Sequence, residues 1–282
     1  MTSEGKAHRL NALVLAAGRR GAEDSVARLQ GKSHKCFVEI AGEVMLERVI
    51  RALIESECFG RIFVSIEREE LLRATPQLAA WFEAGVISFI ASRTTLADSI
   101  LALGDSVPDA TPLVITTGDN ALHTPELIRD FVAGFERSTA EIAVAFTRQE
   151  TVMAEYPEVG LAYHRLKDGG YSACNLYAFR SPEAFRSAEV FRSGGQFGKR
   201  HWRILKSFGL MPFLLYKLRL ATGPELIDRI ARNLGTSIEI VMLDYAYGPI
   251  DVDNPSFFAI SERILKEREG RAQEAAAPDG DA

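Results

Sequence analysis

The sequence predicts an α/β protein built on a mostly parallel, twisted sheet flanked by helices. Short apolar runs that are typical of buried strands alternate with helical patterns through the first half of the chain. Their apolarity is continuous, which favours parallel strands covered on both faces, wound by right-handed crossovers. The predicted strands are residues 10–16, 61–66, 86–91, 113–117 and 141–147, and the predicted helices are residues 44–56, 69–82, 96–103 and 125–135.

The composition excludes several classes of protein. Of the 282 residues, 47% are hydrophobic and 25% charged, which excludes both a disordered chain and an integral membrane protein. The net charge of −5, with no long basic tract, argues against a nucleic-acid partner. Three cysteines without CxxC spacing and a polar N-terminus predict a reduced, cytoplasmic protein.

After residue 148 the pattern becomes less regular. We expect a single domain over residues 8–267 with a smaller, mostly helical and loop insertion, followed by a disordered tail at residues 268–282. The predicted elements of this half are strands at residues 171–179 and 237–243 and helices at residues 182–192 and 255–266.

The first segment with chemical potential follows the first predicted strand. Its members are Leu15, Ala16, Ala17, Gly18, Arg19 and Arg20. Small side chains let backbone N–H groups approach a phosphate or a base, and arginines add positive charge. The dinucleotide fingerprint is absent, because Gly18 and Gly21 form only GxxG, and Val26 replaces the first glycine of a Walker A loop.

This loop and the segment after it carry a family resemblance. LAAG-RR, then HKCFVEIAGEVMLE from His34, resembles the N-terminal signature of GT-A-type nucleotidyltransferases, which include MobA-like NTP transferases and methylerythritol-phosphate cytidylyltransferases. The resemblance implies a Rossmann-like fold and an activity of EC 2.7.7 type. It also implies that Lys35 contacts phosphate and stabilises charge as pyrophosphate leaves. The sequence departs from the signature at His34 and Val44, which both replace prolines, and in a loop several residues longer.

Two further segments fit the same family. Ala97-Asp98-Ser99 resembles the helix start of cytidylyltransferases, whose serine meets the base; alternatively, Ser99 only lies in the first turn of a helix. Gly118 and Asp119 end a buried strand, where ligands bind in open α/β sheets. A carboxylate there can hold Mg²⁺, and the resemblance implies that Asp119 is a metal ligand, although it could also shape a turn.

A second acidic element lies near the C-terminus. Asp251-Val252-Asp253-Asn254-Pro255 resembles the D-x-D-T-P element that closes many of these domains, with Asn254 in place of threonine. Alternate residues of a strand face the same side, so Asp251 and Asp253 can share one cation. With Asp119 they form the predicted Mg²⁺ or Mn²⁺ site.

Acceptor recognition is assigned to the irregular region. Asn175 is a polar residue in an apolar strand, and Lys199 lies in a basic stretch after a glycine-rich piece. Core hydrogen bonding and an exposed loop are the respective alternatives. The apolar segment at residues 204–220 is too short to span a bilayer. Core packing is its default interpretation, and an acceptor pocket, a homodimer contact or a peripheral membrane contact stays open.

Together these patterns predict a Mg²⁺-dependent nucleotidyltransferase. A phosphate on an acceptor attacks the α-phosphorus of a nucleoside triphosphate, with CTP favoured, while Lys35, Arg19 and Arg20 neutralise charge. We expect residues 8–147 to bind the nucleotide, residues 148–235 the acceptor, and residues 236–267 to close the domain. The alternatives are a GT-A glycosyltransferase that uses a nucleotide sugar and a non-catalytic nucleotide-binding module.

Overall fold

The computed structural model describes residues 10–18, 20–185, 187 and 202–276. The strands are β1 (Leu10–Leu15), β2 (Glu39–Ile40), β3 (Glu43–Val44), β4 (Phe59–Ile66), β5 (Ile87–Ala91), β6 (Leu113–Thr117), β7 (Ile142–Arg148), β8 (His164–Leu166), β9 (Gly169–Phe179) and β10 (Ile238–Met242). The α-helices are α1 (Met45–Glu55), α2 (Pro76–Glu83), α3 (Leu96–Ser106), α4 (Pro125–Arg137), α5 (Gln149–Glu155), α6 (Trp202–Phe208), α7 (Leu210–Lys217), α8 (Gly223–Leu234) and α9 (Pro255–Ala276).

One large sheet organises the domain, and it confirms the predicted fold class. The strand order is β10-β7-β9-β6-β1-β4-β5, with β8 paired to β9, while β2 and β3 form a separate hairpin. Strands β5, β4, β1 and β6 run parallel, as do β7 and β10. Strand β9 is antiparallel to both β6 and β7 and joins the two parallel groups. The carboxyl ends of β1 and β6 therefore lie side by side at one edge of the sheet.

Helices cover both faces of the central strands, which explains their continuous apolarity. Val14 of β1 belongs to a buried cluster that also contains Leu46 of α1 and Phe131 of α4. Leu13, the preceding residue, points to the other face and belongs to a cluster with Leu103 of α3. Because neighbouring residues of a strand face opposite sides, a strand between two helical layers must be apolar at every position.

Threonine caps set the starts of several helices. The Thr124 hydroxyl accepts a hydrogen bond from the Leu127 N–H at 3.3 Å, as predicted for the start of α4 at Pro125. The predicted helix at residues 69–82 is instead divided, with a 3₁₀ helix at Glu69–Arg73 before α2. Thr75 caps α2 and the next residue is Pro76, which favours a new helix start there.

The expected disorder of residues 268–282 is wrong for residues 268–276, which continue α9. The Arg268 guanidinium lies 3.8 Å from the ring centroid of Tyr247 and donates to the carbonyl of Leu122 at 3.0 Å. Arg48 forms an ion pair with Glu269 at 2.9 Å. These charged contacts hold the first residues of the extension against the rest of the protein, although the segment lacks apolar periodicity. Residues 277–282 lie outside the described part.

The prediction that residues 204–220 pack in the core is confirmed for only one side of the segment. It forms most of α6 and all of α7, and Pro212 and Tyr216 are buried. Leu210 and Leu214 on the opposite side of α7 are exposed.

The predicted helix at residues 182–192 begins with a 3₁₀ turn at residues 182–185, and most of the remainder lies outside the described residues. In the described chain, no helix is long and apolar enough to cross a membrane.

Candidate functional site

The end of β1 is held between its two neighbours by backbone hydrogen bonds. The Ala16 N–H donates to the carbonyl of Ser65 at 2.9 Å, and the Gly118 N–H donates to that of Leu15 at 3.0 Å. A Cβ at Gly118 would lie 3.3 Å from Cδ1 of Leu46, closer than most such contacts. Glycine at this position therefore allows the β6 end to approach the small-residue loop closely.

The loop itself is closed by a carboxylate. The Gly18 N–H donates to Oε1 of Glu67 at 2.8 Å, and Nε2 of His34 lies 3.1 Å from Oε2 of the same residue. A Cβ at Gly18 would lie only 2.8 Å from Cδ2 of His34. Arg20 is exposed beside this loop, whereas Arg19 lies outside the described residues. The predicted charge-neutralising roles of both arginines stay predictions.

Lys35 lies between two of the predicted metal ligands. Its Nζ is 2.5 Å from Oδ2 of Asp119 and 3.2 Å from Oδ1 of Asp253. The lysine starts a 3₁₀ helix at Lys35–Phe37, and its side chain is only 20% exposed. The sequence predicts a phosphate contact for this residue; the structure adds that its charge is held by the aspartates.

A backbone hydrogen bond brings the two acidic elements together across the domain. The Val252 N–H donates to the carbonyl of Asp119 at 3.1 Å, and the Asp253 N–H donates to that of Asp251 at 3.0 Å. Residues 251–253 are therefore a tight turn and not a strand, so the expected alternation is wrong. The turn still directs both carboxylates toward Asp119. Oδ1 of Asn254 accepts from the N–H groups of Ser256 and Phe257 at the start of α9.

The electrostatics of the cluster follow from burial and from the close charges. Burial would lower the pKa of Lys35, but the charges of Asp119, Asp253 and Asp251 outweigh burial and raise it. Burial and the negative charges of Asp119 and Asp253 together raise the pKa of Asp251 to about 7, although Lys35 and the hydrogen bond from Asn175 oppose them. Asp119 shows the opposite result, since Lys35 overcomes the effect of burial and lowers its pKa. One lysine thus incompletely compensates three carboxylates.

The three carboxylates fit a hard divalent cation. Asp119, Asp251 and Asp253 each offer an oxygen, and these oxygens lie within 4.8 Å of one another. Mg²⁺ binds oxygens octahedrally at about 2.1 Å, so adjacent ligands are about 3.0 Å apart and opposite ligands about 4.2 Å apart. The carboxylates must therefore move inward to bind one ion together. The residual negative charge favours a cation in the same place.

A polar network behind the carboxylates supports them. The Thr117 hydroxyl donates to Oδ1 of Asp119. Nδ2 of Asn175 lies 3.1 Å from Oδ2 of Asp251 and 3.2 Å from Oδ1 of Asn120. Asn175 has a φ of +52° where the β7–β9 register shifts, and such an irregularity re-aims a side chain. Its amide is thus hydrogen bonded beside the cluster, and acceptor binding by Asn175 stays a prediction.

A small surface pocket lies beside the loop, on the β4 side of β1. Its lining comprises Leu15, Ala17, Ser65, Arg93, Thr94, Thr95, Leu96 and Ser99. The Ser99 hydroxyl accepts from the Arg93 N–H at 2.8 Å and donates to the carbonyl of Thr95 at 3.1 Å. Three predicted nucleotide-binding residues, Leu15, Ala17 and Ser99, therefore meet at one pocket. The hydrogen bonds of Ser99 also agree with the alternative interpretation, in which Ser99 only lies in the first turn of helix α3.

Sequence reasoning missed Glu67, Thr117 and Arg93. Glu67 follows a buried strand at the same edge as Asp119, a signal that could have identified it. Thr117 and Arg93 contribute through contacts that residue type alone does not reveal. Lys199, the second predicted acceptor-binding residue, lies outside the described residues, so its role stays a prediction.

Replacing Asp251 by asparagine tests the cation site. Well above the pKa of Asp251, at about pH 8.5, the Asp251→Asn variant should melt roughly 2–4 °C higher than the native protein in chelator, because one of three close negative charges is removed. It should also lose most of the rise in melting temperature that Mg²⁺ gives the native protein. Thermal unfolding with chelator and with Mg²⁺ measures both effects.

The control is Asp105→Asn, which removes an exposed carboxylate at the end of α3. It should leave the response to Mg²⁺ unchanged. An equal Mg²⁺ response in the native protein and in Asp251→Asn would contradict the assignment of Asp251 as a ligand.

The contact between Gly18 and His34 predicts a rescue experiment. Gly18→Ala should lower the free energy of unfolding by about 1–3 kcal/mol, because the added methyl group overlaps the imidazole. Adding His34→Ala should recover much of this loss. Gly160→Ala is the control, since a Cβ there meets nothing within 4 Å. Urea unfolding measures the native protein, both single variants, the double variant and the control. If Gly18→Ala costs the same in the native and in the His34→Ala background, the clash is not the cause of the loss.

Comparison with known proteins identifies relatives of the chain. Residues 12–165 match the MobA-like NTP transferase domain family. The 2-C-methyl-D-erythritol 4-phosphate cytidylyltransferase of Saccharopolyspora erythraea is 30% identical over 146 residues. That match spans 50% of this chain and 61% of the relative, which is less than two thirds of the relative's length.

Solved structures share the fold over nearly the whole chain. A hypothetical transferase from Thermus thermophilus superposes with a TM-score of 0.69 at 23% identity, covering 89% of this chain and 99% of its own. The 4-diphosphocytidyl-2C-methyl-D-erythritol synthase of Anaerococcus prevotii gives 0.55 at 11% identity, covering 91% and 97%. A CMP:2-keto-3-deoxy-manno-octonic acid synthetase gives 0.56 at 14% identity, covering 92% and 99%.

The family match covers more than half of the chain and contains the small-residue loop, Lys35, Ser99 and Asp119. It confirms the family resemblance seen in the sequence. The chain belongs to the MobA-like NTP transferase domain family.

Proposed function

We propose that this protein transfers a nucleotidyl group from a nucleoside triphosphate to a phosphorylated acceptor. An oxygen of the acceptor phosphate attacks the α-phosphorus, a new P–O bond forms, and the bond to the β-phosphate breaks to release pyrophosphate. The observation that carries the proposal is the convergence of Lys35 with Asp119, Asp251 and Asp253 at the carboxyl edge of the sheet. Polyphosphate chemistry at such a site needs positioning and charge neutralisation rather than a nucleophilic side chain.

Lys35 supplies a fixed positive charge. Its pKa is raised, so the ammonium group is charged throughout the physiological pH range. An ammonium held at a defined place stabilises negative charge that develops on the leaving pyrophosphate. The aspartates that hold Lys35 also orient it, which reduces the conformational freedom that its long side chain would otherwise lose on binding.

Asp119, Asp251 and Asp253 would hold the divalent cation, Mg²⁺ or Mn²⁺. When bound, the ion neutralises triphosphate charge. Thr117 and Asn175 donate to Asp119 and Asp251 and so keep these carboxylates aimed at one point. Each of these hydrogen bonds uses one lone pair of a carboxylate, so further lone pairs of Asp119 and Asp251 are available to bind the ion.

The base pocket favours CTP in this proposal. Ala17 and Ser99 line the pocket beside β1, and the Ala97-Asp98-Ser99 helix start resembles that of cytidylyltransferases. The 30% identical relative is named a cytidylyltransferase. Discrimination by a single methyl group, as at Ala17, is worth only about 1–3 kcal/mol, so contacts of the pocket backbone must add to it.

Pyrophosphate release tests the reaction. With Mg²⁺, a nucleoside triphosphate and a panel of phosphorylated acceptors that includes sugar and polyol phosphates, the native protein should release pyrophosphate only with a suitable acceptor. Lys35→Met keeps the side-chain length and should lower kcat about a hundredfold or more, with a smaller change in KM. Lys32→Met is the matched control, because Lys32 pairs with Glu39 at 3.0 Å outside the cluster.

Two outcomes would contradict the proposal. Full turnover in excess chelator would exclude the cation site as part of the reaction. Release of a free nucleoside diphosphate from a nucleotide sugar, without pyrophosphate from any triphosphate, would indicate a glycosyltransferase instead.

Melting temperatures test the base preference separately from the chemistry. Equal concentrations of the four Mg²⁺–nucleotides should raise the melting temperature most for CTP, because a ligand of the native state stabilises it by an amount set by its saturation. A larger rise with GTP than with CTP would overturn the cytidylyl preference while leaving nucleotidyl transfer intact.

A further inference from the structure

Helices α6 and α7 and the residues after them present an apolar surface to solvent. In the described part of the chain, ten large apolar side chains are conspicuously exposed, and six of them belong to this surface. We call it the α7 face; its apolar members are Leu205, Leu210, Met211, Leu214, Leu218 and Leu220. Leu210, Leu218 and Leu220 are each about 60% exposed, far more than a core helix permits. A contiguous exposed apolar patch marks an interaction site.

The spacing of these residues shows that the exposure is a property of one side of α7. Leu210, Leu214 and Leu218 are four residues apart, so they form a row on the helix surface. Pro212 and Tyr216 occupy the other side and are buried against the domain. The hydroxyl of Tyr216 lies 3.2 Å from Nδ1 of His164. The buried side anchors the helix, and the opposite side is exposed to solvent.

Positive charge accompanies this apolar surface. Lys206, Lys217 and Arg219 are exposed among its leucines. The 35 residues from Val190 to Pro224 contain seven Lys or Arg and no Asp or Glu, in a chain whose net charge is −5. The remainder of the chain therefore carries a larger net negative charge, and in the described part Lys206, Lys217 and Arg219 bring basic charge to the exposed apolar side chains.

We propose that the α7 face binds the surface of an anionic lipid bilayer. Leucine and methionine side chains enter the boundary between headgroups and acyl chains, while lysine and arginine contact the anionic headgroups. The basic residues contribute attraction that acts only on a negatively charged surface.

Charge favours an anionic membrane over two other partners for the α7 face, a second copy of the protein and residues 188–201 of the same chain. In a symmetric contact between two copies, Lys217 and Arg219 would meet a surface with the same basic residues, which is unfavourable. Residues 188–201 contain three Lys or Arg and one Glu, so this segment has a net positive charge. It therefore does not complement the basic residues of the α7 face. An anionic membrane surface complements both the charge and the apolar character.

The α7 face is joined to the part of the sheet that carries the carboxylate cluster. The Gly223 N–H at the start of α8 donates to Oδ1 of Asp168 at 3.1 Å, and the Tyr171 hydroxyl donates to the other oxygen at 2.5 Å. Asp168 precedes β9, and Tyr171 of β9 pairs with Arg148 at the carboxyl end of β7. Helix α8 thus begins at the same sheet edge as Asp119. Binding through the α7 face would hold this edge in a defined relation to the membrane.

Vesicle co-sedimentation tests the proposal with the full chain. Vesicles of phosphatidylcholine with about 30 mol% phosphatidylglycerol should bind the protein, whereas phosphatidylcholine alone should bind it much less, and added salt should weaken the binding. Lys217→Gln/Arg219→Gln should reduce partitioning about 25-fold, which is about fivefold for each charge. Leu214→Ser/Leu218→Ser should reduce it at least as much, because it removes apolar side chains that insert.

Matched variants outside the face provide the controls. Leu29→Ser removes a leucine that is 48% exposed, and Lys266→Gln removes an exposed charge on α9. Both should bind anionic vesicles like the native protein. Melting temperatures of all variants report whether the fold is retained, independently of any enzymatic activity.

Four results would overturn the proposal. The first is absence of binding to anionic vesicles, and the second is equal binding by the α7-face variants and the controls. The third is binding to soluble poly-glutamate but not to vesicles, which would indicate an acidic protein partner. The fourth is a loss of thermal stability or of a dimer in Leu214→Ser/Leu218→Ser that Leu29→Ser does not show, because protein would then cover the face. Failure of the pyrophosphate assay would leave this proposal unaffected.

Discussion

The convergence of three carboxylates on one lysine is the constraint on which the site depends. Charged groups that are withdrawn from water require partners, and Lys35 provides one for Asp119 and Asp253 at 2.5 and 3.2 Å. The incomplete compensation is expressed in the raised pKa of Asp251. A purely structural ion-pair network would balance its charges more closely. The excess negative charge supports the proposed cation site.

The sheet supplies the geometry that this charge cluster needs. β1 and β6 place the small-residue loop and Asp119 next to each other, because parallel neighbours end at the same edge. The Val252 N–H then binds the carbonyl of Asp119 and fixes the position of the turn at residues 251–253. The antiparallel β9 brings Asn175 to the same place through a register irregularity. Each contribution comes from a different part of the chain, so the site forms only when the whole sheet is assembled.

Two surfaces of the described structure differ in charge and polarity. Asp119, Asp251 and Asp253 meet at the carboxylate cluster, whereas Lys206, Lys217 and Arg219 are exposed together with the apolar side chains of the α7 face. Asp168 and Tyr171 connect α8 to the sheet edge that carries the cluster. The α7 face therefore adjoins the carboxyl edge of the sheet through α8. In the two proposals, nucleotidyl transfer and membrane binding use separate surfaces of the protein.

Local patterns alone determined much of this protein. Continuous apolar runs predicted the bounds of the central strands within about two residues, and those of β6 at both ends. Thr124-Pro125 predicted the start of α4. Both predictions succeed because strand burial and helix capping depend on neighbouring residues. The family motifs identified Lys35 and the three aspartates before any geometry was known. Only the tertiary structure shows that Lys35 is held by Asp119 and Asp253 and that Glu67 closes the Gly18 loop. It alone also shows that α9 continues to Ala276 and that one side of α7 faces solvent. These features join residues as many as 221 positions apart or depend on which surface is covered, and no local periodicity encodes such distances.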